Sequence, residues 1–307
     1  MKILSLGLSG APDEIRSKLT HDCHLLVQEG FRIAIDETNK GRYTFFGCNI
    51  AEGELSFRNY ERVKNMLKNC IAQTLADVIV SREEPALLRR IVDHNYHYLG
   101  EQERTRVLEA ARSMLESGGE MTCGDFGRLA RRNIILSRLN EYLDTHHELV
   151  LDGFVAFRLK DYRERLGEVV DKAVDRYMMD MEYQEFIRVL RYFVDVQEAQ
   201  VEEVHVIIGD GETFKIRDAK GKVISNHYLE SFMLRSTEDI NYEDLLISAL
   251  ITIAPRNVML HISGTPQEQG VVQTIQHVFE GRVMTCDGCE ICENEPSAAI
   301  VPETEKK

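Results

Sequence analysis

Apolar and polar residues alternate near both ends of the chain and recur at helical spacing through its middle, which predicts strand-containing flanks around a helical centre. Residues 3–8 (ILSLGL) read as a strand. Asp13 opens an amphipathic stretch with Ile15, Leu19, Cys23 and Leu26 on one face, and Gly30 supplies its stop. FRIAIDE and RYTFFG alternate on either side of Thr38-Asn39-Lys40-Gly41, whose Asn and Gly tolerate the positive φ of a hairpin turn. Residues 1–58 are thus expected to form a small β-α-β-β unit.

From Asn59 the period lengthens. Tyr60, Val63, Leu67, Ile71, Leu75 and Val78 mark one helical stripe, Pro85 predicts a break, and further periodic runs cover 86–98, 102–116 and 125–143, the last two separated by Gly118-Gly119. Residues 158–197 form the longest run. Tyr162, Leu166, Val169, Ala173, Tyr177 and Met181 share one stripe, whereas Phe186, Leu190, Phe193 and Gln197 follow a shifted one. A straight seam cannot change phase, so a kink or a two-helix break is expected near Met179 to Glu182, within a helical region spanning 59–200.

Alternation returns in VEEVHVII, TFKIRD and KVIS, with Asp218-Ala219-Lys220-Gly221 as a second turn. Helix 241–253, strand 257–262, helix 266–280 and strand 282–286 follow. This order predicts a mixed sheet covered by helices over 201–292, with parallel pairing through two right-handed crossovers. The polar, proline-punctuated tail 293–307 is expected to be disordered. The fold class is α+β.

Across 307 residues, 43% hydrophobic and 29% charged side chains place the chain among ordered globular proteins. A net charge of -14 repels phosphate backbones and weighs against non-specific nucleic-acid coating. The longest apolar stretch, Leu245 to Pro255, is about half of what a membrane span requires, and the Lys2-bearing N-terminus shows no signal-peptide core, so no membrane association and a cytoplasmic location are expected. No P-loop, GxSxG or HExxH pattern occurs, which tilts the reading toward binding rather than catalysis.

Seven cysteines, an odd number, argue against a secreted disulfide framework. Three of them, Cys286, Cys289 and Cys292, are spaced so that successive sulfurs could converge around Asp287-Gly288 on zinc or an iron–sulfur cluster. A fourth ligand would come from His277, His261, a distant cysteine or another chain. Acidic Asp287, Glu290 and Glu293 favour a cation and disfavour a low-pKa nucleophile. The histidine pairs His21/His24 and His94/His97, and the doublet His146-His147, read as boundary or surface residues. The carboxylates Asp171, Asp175, Glu182, Glu185 and Asp195 read as a solvated face.

The segment 126–140 is locally basic, with Arg128, Arg131, Arg132 and Arg138 and no carboxylate. Behind the Gly118-Gly119 turn it could present arginines to DNA as the second helix of a helix-turn-helix. The competing reading is an amphipathic helix whose arginines pair with acidic neighbours, and the net charge favours it.

Asp152-Gly153-Phe154-Val155-Ala156-Phe157-Arg158-Leu159-Lys160-Asp161-Tyr162 interleaves aromatics and cations, and resembles the YtxC-like family of sporulation proteins of spore-forming Firmicutes. The resemblance continues through Val170–Asp175, Glu182–Ile187, Arg191–Asp195 with Gln197, Val204–Val206, Ala254–Asn257 and the closing cysteines. It implies a role in sporulation, with a protein partner and no established catalytic set. Read physically, Phe154, Phe157, Leu159 and Tyr162 would anchor the entry of the long helix into a core. Arg158 and Lys160 would bind a partner or anionic ligand if they face a groove.

Overall fold

The computed structural model describes residues 2–9, 15–21, 32–52, 57–117, 127–209, 213–224, 242–262 and 269–289. The chain divides into two units, Met1–Met179 and Asp180–Lys307, and is mixed α/β in both. The boundaries expected at residues 58 and 200 do not coincide with this division. Strands and helices of the first 179 residues share one core, from Ile3 and Phe46 through Leu75 and Leu139 to Val174.

The first unit carries a four-stranded sheet in the order β2-β3-β1-β4, from β1 (Lys2–Ser9), β2 (Arg32–Lys40), β3 (Tyr43–Glu52) and β4 (Glu148–Val150). The expected hairpin joins β2 to β3, with Gly41 at a φ of 61°. β4 adds parallel to β1. Its three residues are too few to show a period, so no local signal marks it. Residues 15–21 are helical and bury Ile15 and Leu19; Cys23 and Leu26 lie outside the described residues.

Four longer helices follow: α1 (Phe57–Val78), α2 (Glu84–Asn95), α3 (Glu101–Ser117) and α4 (Arg128–Thr145). α1 buries the stripe Val63, Leu67, Ile71, Leu75 and Val78. Pro85 does not break the chain as expected. Proline has no N–H to donate and its ring clashes with the carbonyl four residues back. The backbone widens to accommodate it: Ile79–Glu83 form a π turn in which the Glu84 N–H donates to the Ile79 carbonyl, and α2 begins directly.

The short α5 (Leu151–Phe157) leads into α6 (Lys160–Val196), a continuous helix of 37 residues. Neither helix nor secondary structure breaks at 179–182. The phase change instead marks a change of core. Tyr162, Leu166, Val169, Ala173 and half-buried Tyr177 belong to the first core, while Ile187 and Val194, with half-buried Tyr183 and Leu190, belong to the second. Met181, Phe186 and Phe193, expected on the buried stripes, are exposed.

The second unit holds β5 (Val201–Gly209), β6 (Thr213–Asp218), α7 (Tyr242–Ile253), β7 (Pro255–Ile262), α8 (Gln269–Val278) and β8 (Val283–Thr285). Its sheet has the order β6-β5-β7-β8, antiparallel between β5 and β6 and parallel elsewhere. Of the strand expected at KVIS, the described residues show a single bridge, Arg217 to Val223, and Ser225 lies outside them. Among the described residues no helix is long and apolar enough to cross a membrane. The tail 293–307 lies outside the described residues.

Candidate metal centre

Parallel register creates the site. Leu260 of β7 stands beside Thr285 of β8, which brings the next residues, His261 and Cys286, together at the carboxyl edge of the sheet. That edge is where open parallel sheets gather ligands. The Cys286 N–H donates to the Leu260 carbonyl at 2.8 Å and ties the outgoing chain to β7. Gly288 then adopts a φ of 129°, a conformation open to glycine and strained for other residues, and the chain turns Cys289 back.

One nitrogen of His261 and the sulfurs of Cys286 and Cys289 lie within 4.8 Å of one another. Cys289 Sγ is 3.5 Å from His261 Nδ1. His261 is buried, and both cysteines are half-buried. Cys292 lies outside the described residues.

A polar chain supports His261 from behind. In the β5–β7 register Ile207 lies opposite His261, so His205, two residues earlier on β5, shares its face of the sheet. His261 Nε2 is 2.9 Å from His205 Nδ1, and His205 Nε2 is 3.1 Å from Glu203 Oε1. The carboxylate thus accepts from His205, which can accept from His261, leaving the Nδ1 lone pair of His261 directed toward Cys289. Burial, then the neighbouring His205, lowers the proton affinity of His261 and favours the neutral imidazole that ligates metals. His277, the other candidate ligand on α8, is engaged elsewhere: its Nδ1 is 3.4 Å from the Tyr183 hydroxyl.

The arginines of the DNA reading occupy separate environments. Arg131 is 3% exposed. Its Nε donates to Glu84 Oε2 at 2.9 Å, its Nη2 to Oε1 at 3.2 Å, and its Nη1 to the Leu115 carbonyl at 2.8 Å. The Tyr162 hydroxyl also donates to Glu84. A side chain buried in this way cannot reach a base edge. The sequence held the sign of it, since Arg131 leads the stripe Ile135, Leu139 and Leu143 at spacings of four. Arg132 pairs with Asp77 at 2.6 Å, and Arg138 with Asp161 at 3.2 Å. Arg128 is exposed at the start of α4.

The two cations of the aromatic string also part company. The Arg158 guanidinium lies 5.5 Å from the centre of the Tyr142 ring, while Lys160 lines an open cleft in the first unit. Phe154, Leu159 and Tyr162 are buried anchors, and Phe157 is exposed. Of the other candidates, Asp171 accepts from the Tyr96 hydroxyl at 2.6 Å and Asp195 from Arg282 at 3.2 Å. His146 stacks on Tyr142 with 4.1 Å between ring centres.

The curated relative named "Uncharacterized protein YtxC", from Bacillus subtilis (strain 168), is 27% identical over 194 residues, covering 63% of this chain and 68% of the relative. No solved structure matches. The model of the YtxC-like family matches residues 69–284, a span that includes His205 and His261 and ends two residues before Cys286. Matched over more than half of its length, the chain belongs to the YtxC-like family.

Proposed function

We propose that this chain is a non-catalytic binding component in spore-forming bacteria, and that its C-terminal unit binds a soft divalent metal, with Zn²⁺ as the ion. The convergence of His261, Cys286 and Cys289 carries the reading. Two thiolates, one imidazole and a further thiolate from Cys292 make a closed Cys₃His tetrahedron, the donor set of a structural zinc site. Such a set leaves no open position for water or substrate, which supports a holding role over a catalytic one. The ion would clamp the chain after β8 onto β7 and present that edge to a protein partner. The family resemblance supports the association with sporulation.

The test uses full-length protein purified anaerobically, with elemental analysis and a visible spectrum, followed by Co²⁺ replacement. About one zinc per chain and intense sulfur-to-cobalt charge-transfer bands are expected, both lost in Cys286→Ser/Cys289→Ser. An iron-containing sample with visible absorption as isolated would favour the cluster alternative. Folded protein that is metal-free and takes up no Zn²⁺ at micromolar concentration would overturn the reading.

A further inference from the structure

The first unit contains a feature that the metal site does not use, an open cleft of about 1320 Å³ between α2 and the start of α6, with Arg42 of the β2–β3 hairpin on its rim. Five cations line it, Arg42, Arg82, Arg90, Lys160 and Arg163, against the carboxylates of Glu83, Asp152 and Glu164. In a chain of net charge -14 this local excess of positive charge runs against the field of the whole molecule.

Many arginines outside the cleft are engaged: Arg131, Arg132, Arg138, Arg191, Arg256 and Arg282 each pair with a carboxylate. In the cleft the pattern differs. Arg82 and Arg90 make no hydrogen bond or ion pair with any described residue. Among the described residues the Arg163 guanidinium donates to the Ala156 carbonyl alone, at 3.1 Å. Arg42 donates to the Tyr43 hydroxyl at 2.7 Å, which holds its guanidinium without neutralising it. Lys160 has one long contact, 3.7 Å to Glu164.

Arg82 lies in the π turn Ile79–Glu83, and Ala86, Arg90 and His94 follow it at spacings of four, the interval that places residues on one helix face; all four line the cleft. The two arginines are eight residues apart, about 12 Å along the axis, and the small Ala86 between them leaves the space open. Across from them, an added Cβ at Gly167 would meet nothing within 4 Å. Leu87 and Val155, both buried, supply an apolar floor.

We infer that this cleft binds a small molecule carrying more than one phosphoryl group, with the guanidinium forks of Arg82 and Arg90 gripping separate phosphoryl oxygens and the Leu87–Val155 floor receiving an organic moiety. Guanidinium groups suit phosphate because their planar donors match its oxygens in pairs. Two forks about 12 Å apart at their origins demand a ligand longer than orthophosphate. The cleft volume admits a nucleotide-sized ligand. This inference is independent of the metal reading.

The experiment is calorimetric titration of the full chain in about 150 mM salt, where surface charge is screened beyond roughly 8 Å. Inorganic pyrophosphate, ATP without magnesium, and orthophosphate are the probes. Saturable binding of pyrophosphate or ATP at one site per chain is expected, at least about tenfold tighter than orthophosphate, and weakened about tenfold or more in Arg82→Gln/Arg90→Gln. Both residues are exposed, and circular dichroism checks that the double variant keeps its fold. Arg89→Gln, which alters an α2 residue paired with Asp93 outside the cleft, should leave binding unchanged. The inference is refuted by absence of saturation, by equal affinity in the double variant, or by an equal loss in Arg89→Gln.

Discussion

Arg131→Met offers the sharpest separation between an arginine that builds the fold and one that meets DNA. The side chains of Arg131 and Glu84 are 4% and 7% exposed and joined by two hydrogen bonds, so the substitution leaves a carboxylate buried without its cation. It also removes the donor to the Leu115 carbonyl. The Tyr162 hydroxyl still donates to Glu84 and limits the damage. Breaking one side of a buried pair costs about 3–5 kcal/mol, a large share of the roughly 5–15 kcal/mol that holds a domain together. For a unit of this size each kcal/mol corresponds to roughly 2–4 °C, so Tm should fall by about 10 °C. Thermal and urea unfolding, followed by circular dichroism, measure this directly. The double variant Glu84→Gln/Arg131→Met should recover most of the loss, because a neutral amide no longer needs the guanidinium and can still accept from Tyr162. A drop below about 1 kcal/mol in Arg131→Met, or no recovery in the double variant, would refute the argument that this pair is a buried structural unit.

His205→Phe should lower Zn²⁺ affinity about 10- to 100-fold while leaving the stoichiometry at one per chain, read by competition with a chromophoric chelator; unchanged affinity would show that the imidazole behind His261 does not orient it. Lys68 is 5% exposed, donates to the Leu143 carbonyl, and is held below the ordinary lysine range chiefly by burial. Because the unfolded chain binds that proton more tightly, stability should rise with pH from the lowered folded-state value up to the ordinary one near 10.4. Lys68→Met should flatten this alkaline rise in urea-unfolding free energies, and an unaltered pH profile would assign the rise to other groups.

Local chemistry carried a large part of the architecture. The β2–β3 hairpin, the buried stripe of α1 and the succession of strands and helices from β5 to β8 follow from alternation, helical spacing and turn residues. Each of those signals acts between neighbours within a few positions. The cysteine cluster was equally visible as three cysteines at a spacing of three, two of which the structure places beside His261.

Contacts across long separations decided the rest. β4 exists because β1 offers an open edge, and a three-residue strand has no period of its own. The long helix remains unbroken because its two stripes meet two different cores, a fact absent from the stripes themselves. Arg131 became a buried ion-pair partner through Glu84, 47 residues away. His261 rather than His277 faces the thiols because parallel register sets β7 beside β8, and His205 completes the chain from a strand more than fifty residues earlier. Side-chain identity states what a residue can bind, whereas its partner depends on which distant backbone segments the burial of apolar surface draws together.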